Sequence, residues 1–204
     1  MGVSLIYRSR FAYEAAMMIL YGRHYLDRYR AVADLIPHGA DVLDLCCGPG
    51  VLYDRYLRHK NVRYLGLDIS ENFVNDLVRR GIPAERWDLR VDRPLPNAEY
   101  VIMQASLYHF LPNADLMLDR MLAAASEEVI VAEPIRNLSL SKVPAIAYLS
   151  GKLTDRGAGP ERNRFVEFTL DELAQRYGNL ISQSFLLPGG REKIYVFKKE
   201  ACAV

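Results

Sequence analysis

The chain has 204 residues, half of them hydrophobic and a quarter charged, which is enough for one α/β domain with a real core and ordinary for a soluble globular protein. Lys plus Arg number 26 and Asp plus Glu 25, a formal net charge of +1. That balance argues against a general nucleic-acid binder, which shows a basic excess, though not against a local basic face.

Cys46, Cys47 and Cys202 are two neighbours and one tail residue. They form neither a disulfide framework nor a metal-ligand spacing, so no metal is expected and a reducing, cytoplasmic setting is the default. No run of about eighteen apolar residues exists, so no membrane span is expected. The first residues lack the apolar core of a signal peptide. They open like a myristoylation site but have Ile6 where Ser or Thr belongs.

Residues 1–9 read as a loose arm. From Phe11 to Ile36 apolar residues recur at helical spacing, through Ala15, Met18, Tyr25 or Leu26, Tyr29, and Val32 or Ala33, with charges on the other side. Gly22 is a place for this stretch to break into two helices, and Pro37-His38-Gly39 ends it. A helical part over residues 1–36 therefore precedes an α/β domain over 37–204.

That domain is organised around Val42-Leu43-Asp44-Leu45-Cys46-Cys47-Gly48-Pro49-Gly50. Ala40 to Leu45 has the short apolar look of a buried parallel strand. Gly48 and Gly50 allow a tight turn and close approach to a ligand, and Val51 to Lys60 suit a helix. Strand, glycine turn and helix N-terminus together make a nucleotide-cofactor site at the carboxyl edge of a sheet. A dinucleotide fold would offer G-x-G-x-x-G with a phosphate over the helix. Here a cysteine stands at the first glycine position and Asp44 closes the strand, where a carboxylate repels pyrophosphate but suits a cationic amino group.

Strand 2 is expected over Val62 to Leu67, with Asp68 at its end, one strand-helix-strand unit after Asp44. A carboxylate there accepts both ribose hydroxyls, in dinucleotide enzymes as well, or else caps the next helix, a job Ser70 already does. Helix 71–80 ends at Gly81 in the C′ position. A short strand 3, Ala84 to Trp87, leads to Asp88-Leu89, and Trp87 reads as a stacking surface or as core. After a proline-containing loop, strand 4 spans Tyr100 to Met103 and runs into Gln104-Ala105-Ser106-Leu107-Tyr108-His109-Phe110. His109 lies where a substrate nucleophile would arrive, and imidazole titrates near neutrality; it serves acid/base chemistry or fixes the loop.

Asn113 caps a helix to Ala125, and strand 5, Val129 to Ala132, ends in Glu133-Pro134. At a carboxyl strand end Glu133 binds a substrate cation, acts as a base, or is a surface or helix-start carboxylate. Residues 135–168 are irregular, with an apolar, helical reading for Leu138 to Leu149 and a Gly-, Pro- and charge-rich run to Arg164; they are expected to form a substrate lid. Thr169-Leu170-Asp171-Glu172 is a capping box opening a helix to Tyr177. Leu180 to Leu187 and Arg191 to Lys198 are two strands joined by Pro188-Gly189-Gly190 as an antiparallel hairpin.

The D-x-C-C-G-x-G turn, the two acids that follow at Asp68 and Asp88, the run after strand 4 and the terminal hairpin resemble, in order and spacing, the class I (Rossmann-like) S-adenosylmethionine-dependent methyltransferases over roughly residues 20–198. The resemblance implies a three-layer α/β sandwich. Its seven-stranded, mostly parallel sheet has the order 3-2-1-4-5-7-6, strand 7 antiparallel and helices on both faces. It implies S-adenosyl-L-methionine as cofactor, with its methionine end on Asp44, Cys46, Gly48 and Gly50. The ribose falls to Asp68 and the adjoining Ile69, the adenine amino group to Asp88, and the ring to Leu89. Gln104 falls beside the sulfonium. The helical arm would cover the pocket, with Tyr21 or Tyr25 reaching the cofactor carboxylate unless they serve packing.

The Asn-Pro-Pro-Tyr or Asp-Pro-Pro-Tyr run of exocyclic-amine methyltransferases is absent after strand 4. The expected function is therefore methyl transfer to an O, N, C or S nucleophile of a small molecule, with His109 and then Glu133 as the base. Nucleic acid is not an expected partner, and the acceptor and oligomeric state are left open. The alternatives are an RNA or protein methyltransferase and a non-catalytic S-adenosylmethionine-binding or scaffold protein. A nicotinamide dehydrogenase is disfavoured by Asp44 and the terminal hairpin.

Overall fold

A computed structural model describes residues 14–15, 17–19, 22–136 and 164–199. One sheet is built from Asp41–Leu45 (β1), Arg63–Asp68 (β2), Ala84–Arg86 (β3), Ala98–Gln104 (β4), Ala125–Pro134 (β5), Ile181–Leu186 (β6) and Glu192–Lys198 (β7). The strand order is β3-β2-β1-β4-β5-β7-β6. β1 to β5 run parallel, and β7 runs antiparallel to both β5 and β6. This is the topology expected from the sequence.

The central strands read as continuous apolar runs because both their faces are covered. Val42, Leu43 and Leu45 of β1, Val101 to Met103 of β4 and Val129 to Ala132 of β5 are all buried. One face packs against Ala114–Ala124 (α4) and Glu167–Gln175 (α5) through Met117, Met121, Leu170 and Ala174. The other packs against Asp27–Asp34 (α1), Val51–Arg55 (α2) and Glu71–Arg79 (α3) through Tyr29, Val32, Leu52 and Leu77. The chain leaves β1 toward β2 on one side, and β4 pairs on β1's other side. In open α/β sheets ligands bind outside the carboxyl ends of the strands at such a reversal, here β1 and β4.

Several boundaries differ from the sequence reading. Gly22 does break the N-terminal stretch: residues 14–15 and 17–19 are helical, Gly22 at φ +57 opens a 3-10 turn, Gly22–His24, and helix resumes at Asp27. The helix after the glycine turn is five residues long and continues as a 3-10 turn, Leu57–Lys60. There Lys60 Nζ donates to the Ala33 and Ile36 carbonyls at 2.6 and 2.8 Å, tying the turn to the end of α1. Thr169 is the third helical residue of α5 rather than its cap; its Oγ1 accepts the Val166 amide hydrogen at 3.1 Å. Asn113 occupies the cap position of α4 without a side-chain cap bond. β4 and β5 are longer than expected because they pair with each other from Ala98 and Ala125 onward.

The helix expected over 138–149, most of the 135–168 insert, and Tyr21 lie outside the described residues. Among the described residues no helix is long and apolar enough to cross a membrane, and no group of His, Cys, Asp and Glu could hold a metal ion.

Candidate functional site

After β1 the backbone turns through Cys46, Gly48 and Gly50, all at positive φ. Gly50 is the N-cap of α2 at φ +75, a conformation that favours glycine, and a Cβ there would run into the Leu77 side chain of α3. The turn is held from β2. Gly48 donates its amide hydrogen to Asp68 Oδ2 at 2.9 Å, and Ser70 donates to Asp68 Oδ1 at 2.8 Å. Ser70 Oγ in turn accepts from the Phe73 amide at 3.5 Å, so capping α3 falls to Ser70 as the sequence reading held. Asp68 is buried, and each oxygen keeps lone pairs beyond those two bonds.

Asp44 is buried at the end of β1, and the Tyr64 hydroxyl donates to its Oδ2 at 2.8 Å. Burial pushes the Asp44 carboxyl up to about 7; the Tyr64 bond opposes this and the Asp68 charge adds to it. The same burial and the two acids raise the Cys47 thiol, which therefore stays protonated and is no nucleophile. Tyr64 and Cys47 converge above Gly66, where a Cβ would lie 2.8 Å from Cys47 Sγ and 3.0 Å from the Tyr64 hydroxyl. Sequence reasoning missed Tyr64; the glycine inside a strand pattern was the available signal.

Asp88 follows β3 half-buried. Arg90 donates to it from Nε at 2.9 Å, from a terminal nitrogen at 2.8 Å and from its amide at 3.0 Å. These bonds hold its carboxyl below the ordinary range. Leu89 is buried, and Ile69 sits half-buried between Asp68 and Ser70. Trp87 is core, with the Arg93 guanidinium 3.1 Å over its ring.

On the β4 side, Gln104 Nε2 donates to the Arg28 carbonyl of α1 at 3.3 Å. Tyr25 is buried edge-on against Tyr29, with ring centroids 5.5 Å apart. Ala105 adopts φ +49, and a 3-10 turn, Leu107–Phe110, carries Tyr108 and the half-buried His109, their rings 4.0 Å apart. The Arg164 guanidinium lies 3.5 Å over Tyr108. Glu133, at the end of β5, is fully buried rather than a surface or helix-start carboxylate. Its Oε1 accepts from the Ser106 and Leu107 amides at 2.6 and 2.7 Å. Burial pushes its carboxyl up to about 8. Beside it Arg28 and Glu192 form a buried ion pair at 2.6 Å, joining α1 to β7. No local pattern announces a pair formed from opposite ends of the chain.

The fold thus gathers Asp44, Cys46, Gly48, Gly50, Asp68, Ile69, Asp88 and Leu89 along the carboxyl edge of β1, β2 and β3. Gln104, His109 and Glu133 lie along the edge of β4 and β5. A buried carboxylate, Asp44, stands beside the glycine turn where a dinucleotide fold places pyrophosphate, so the site suits a ligand with a cationic head.

Known proteins resemble this chain in sequence and in fold. A trans-aconitate 2-methyltransferase of Mycobacterium ulcerans (strain Agy99) is 39% identical over 79 residues, 38% of this chain and 30% of that protein. The match thus spans less than a third of that relative's length. The crystal structure of magnesium protoporphyrin IX methyltransferase from Synechocystis PCC 6803 with bound SAH superposes with a TM-score of 0.65 at 17% identity, over 95% of this chain and 97% of its own. The cyclase SpnF superposes with a TM-score of 0.62 at 14% identity, over 86% of this chain and 80% of its own. These structural likenesses establish the shared class I methyltransferase fold. Residues 27–154, more than half of the chain, match the model of the family described as methionine biosynthesis protein MetW, and to that family the chain belongs.

Proposed function

We propose that this protein is an S-adenosylmethionine-dependent methyltransferase acting on a small-molecule acceptor. One observation carries the reading: Asp44, buried, stands beside the glycine turn at the carboxyl end of β1. A cofactor with a cationic amino group and no phosphate is favoured there, and a pyrophosphate is repelled. In this reading Asp44, Cys46, Gly48 and Gly50 take the methionine end. Asp68 and Ile69 take the ribose, Asp88 and Leu89 the adenine, and Gln104 borders the sulfonium. The segment to residue 36 covers the cofactor, and the 135–168 insert selects the acceptor. The two methyltransferases compared above are named for small-molecule acceptors, which supports that acceptor class.

The cofactor, when bound, supplies an electrophilic methyl group whose leaving thioether is neutral. The protein therefore has no leaving anion to stabilise. Its work is to align the acceptor and exclude water. An acceptor that arrives protonated needs a base, and we assign that role to His109, half-buried on the turn past β4.

Thermal unfolding with S-adenosylhomocysteine, against NAD as control, tests the cofactor. A specific ligand at a hundredfold over its Kd adds about 2.7 kcal/mol, a visible rise in Tm. A rise with NAD alone overturns the reading. A second reading, binding without methyl transfer, is favoured by the cyclase SpnF, since the same fold serves other chemistry. Affinity for S-adenosylhomocysteine with no methylated product across an acceptor screen would support it.

A further inference from the structure

We propose that Glu133 is a positioning residue that acts as a neutral carboxylic acid, clipping the turn after β4 to the end of β5 and so shaping the acceptor side of the site. The proposal deepens the methyltransferase reading and rests on it for the meaning of that turn.

The geometry is specific. Both turn amides, Ser106 and Leu107, donate to the same oxygen, Oε1, while Oε2 is buried with no hydrogen-bond partner among the described residues. An ionised carboxylate with one unpartnered, buried oxygen is strongly disfavoured. A proton on Oε2 removes that penalty and leaves Oε1 able to accept both amide hydrogens. Among the described residues, Arg28 from α1 and Glu192 from β7 act on Glu133, and Lys193 stands opposite it in register on β7. Arg28 is in contact with Glu192 at 2.6 Å and Lys193 donates to Asp171 at 2.8 Å, so both cations are already matched by other carboxylates. The turn contributes the Ser106 and Leu107 amide N–H groups and carries the titratable His109, and β4 ends in the uncharged Gln104. The raised carboxyl agrees with this charge count.

The clip also explains an unusual backbone. Ala105 is at φ +49, a conformation a side chain other than glycine's disfavours. Its amide donates to the Ala132 carbonyl at 2.7 Å, and the next two amides go to Glu133, so three successive donors bind the turn to the end of β5. His109 and Tyr108 depend on that turn for their placement. With both Oε1 bonds used and no exposed surface, Glu133 reaches no acceptor. It acts through the turn.

The test is made on the full chain without ligand. Glu133→Gln reproduces the neutral acid, with one accepting oxygen and donor hydrogens on the other side; Glu133→Leu keeps the bulk and removes the acceptor. Amide hydrogen exchange over residues 104–110 should be near wild type in Glu133→Gln. In Glu133→Leu it should be about tenfold faster or more at Ser106 and Leu107. In parallel, the Tm of Glu133→Gln should gain on wild type as pH rises from 6 to 9, because the wild type must ionise a buried acid and the variant need not. Exchange in Glu133→Gln as fast as in Glu133→Leu, or a Tm difference independent of pH, overturns the proposal. If Glu133→Leu does not fold, the pH comparison of Glu133→Gln with wild type still decides. A wild type that fails to bind S-adenosylhomocysteine would defeat the methyltransferase reading and leave both of these measurements standing.

Discussion

Gly48 donates its amide hydrogen to Asp68, 2.9 Å away, so the acid that ends β2 shapes the turn that ends β1. The bond couples a structural role to a binding one. The oxygen that holds the turn belongs to the carboxylate proposed for the ribose.

Asp68→Ala removes the acceptor of two backbone donors and the proposed ribose ligand together. We expect cofactor affinity to fall by about 1–3 kcal/mol, the range for a lost charge-assisted bond. Asp68→Asn should recover part of it, because its amide oxygen still accepts. Calorimetric titration with S-adenosylhomocysteine reads the difference, and unchanged affinity in Asp68→Ala would remove the ribose assignment.

Gly50→Ala meets two obstacles at once. The αL conformation costs a non-glycine residue roughly 1–2 kcal/mol, and the new methyl would run into Leu77. A loss of about 2–4 kcal/mol in urea unfolding is expected once overpacking is included. Adding Leu77→Ala should relieve only the collision, so the double variant should not return to the wild-type value. A Gly50→Ala chain as stable as wild type would refute the tight α2–α3 approach.

Asp44 has a carboxyl raised to about 7 in the folded chain, against an ordinary value near 4 in the unfolded one. The folded state therefore binds more protons between those values. The contribution of this group is fully present below about pH 4 and is lost as pH rises through 7. Binding of a cationic cofactor runs the other way, because it needs the ionised form. Affinity for S-adenosylhomocysteine should rise from pH 6 to 8. Tyr64→Phe removes a bond that favours the ionised form, so it should move the midpoint of that rise to higher pH. A midpoint unmoved in Tyr64→Phe would count against this coupling.

Arg28 and Glu192 are a buried pair whose separate removal leaves a lone charge. Arg28→Met or Glu192→Leu alone should cost about 3–5 kcal/mol, while the double replacement should be near neutral or stabilising. A chemical-denaturation cycle over the four proteins measures the coupling. Additive losses would show that the pair does not interact in solution.

The order of elements was legible in the residues themselves. The apolar run ending in Asp44, the glycine turn and the acid at Asp68 are local patterns. So is the hairpin at Pro188-Gly189-Gly190, whose two glycines take positive φ. Hydrophobic period and turn chemistry act within a few residues, so a reader of the chain meets them directly. The places of Asp88, His109 and Gln104 at strand ends follow from the same order.

What the chain could not show is which distant groups meet. Tyr64 bonding to Asp44, Arg28 paired with Glu192, and Glu133 turned inward onto Ser106 and Leu107 each join separate elements. The 3-10 turn after the short α2, tied by Lys60 to the end of α1, and the long β4 and β5, extended by their mutual pairing, have the same origin. A strand pattern states which faces are apolar; it does not state the depth to which a carboxylate is buried or which donors reach it. For Glu133 and Asp44 that depth decides the charge. The local sequence places Asp44 and Glu133 at strand ends, and only the tertiary packing, by excluding water, raises their carboxyls to the neighbourhood of neutral pH.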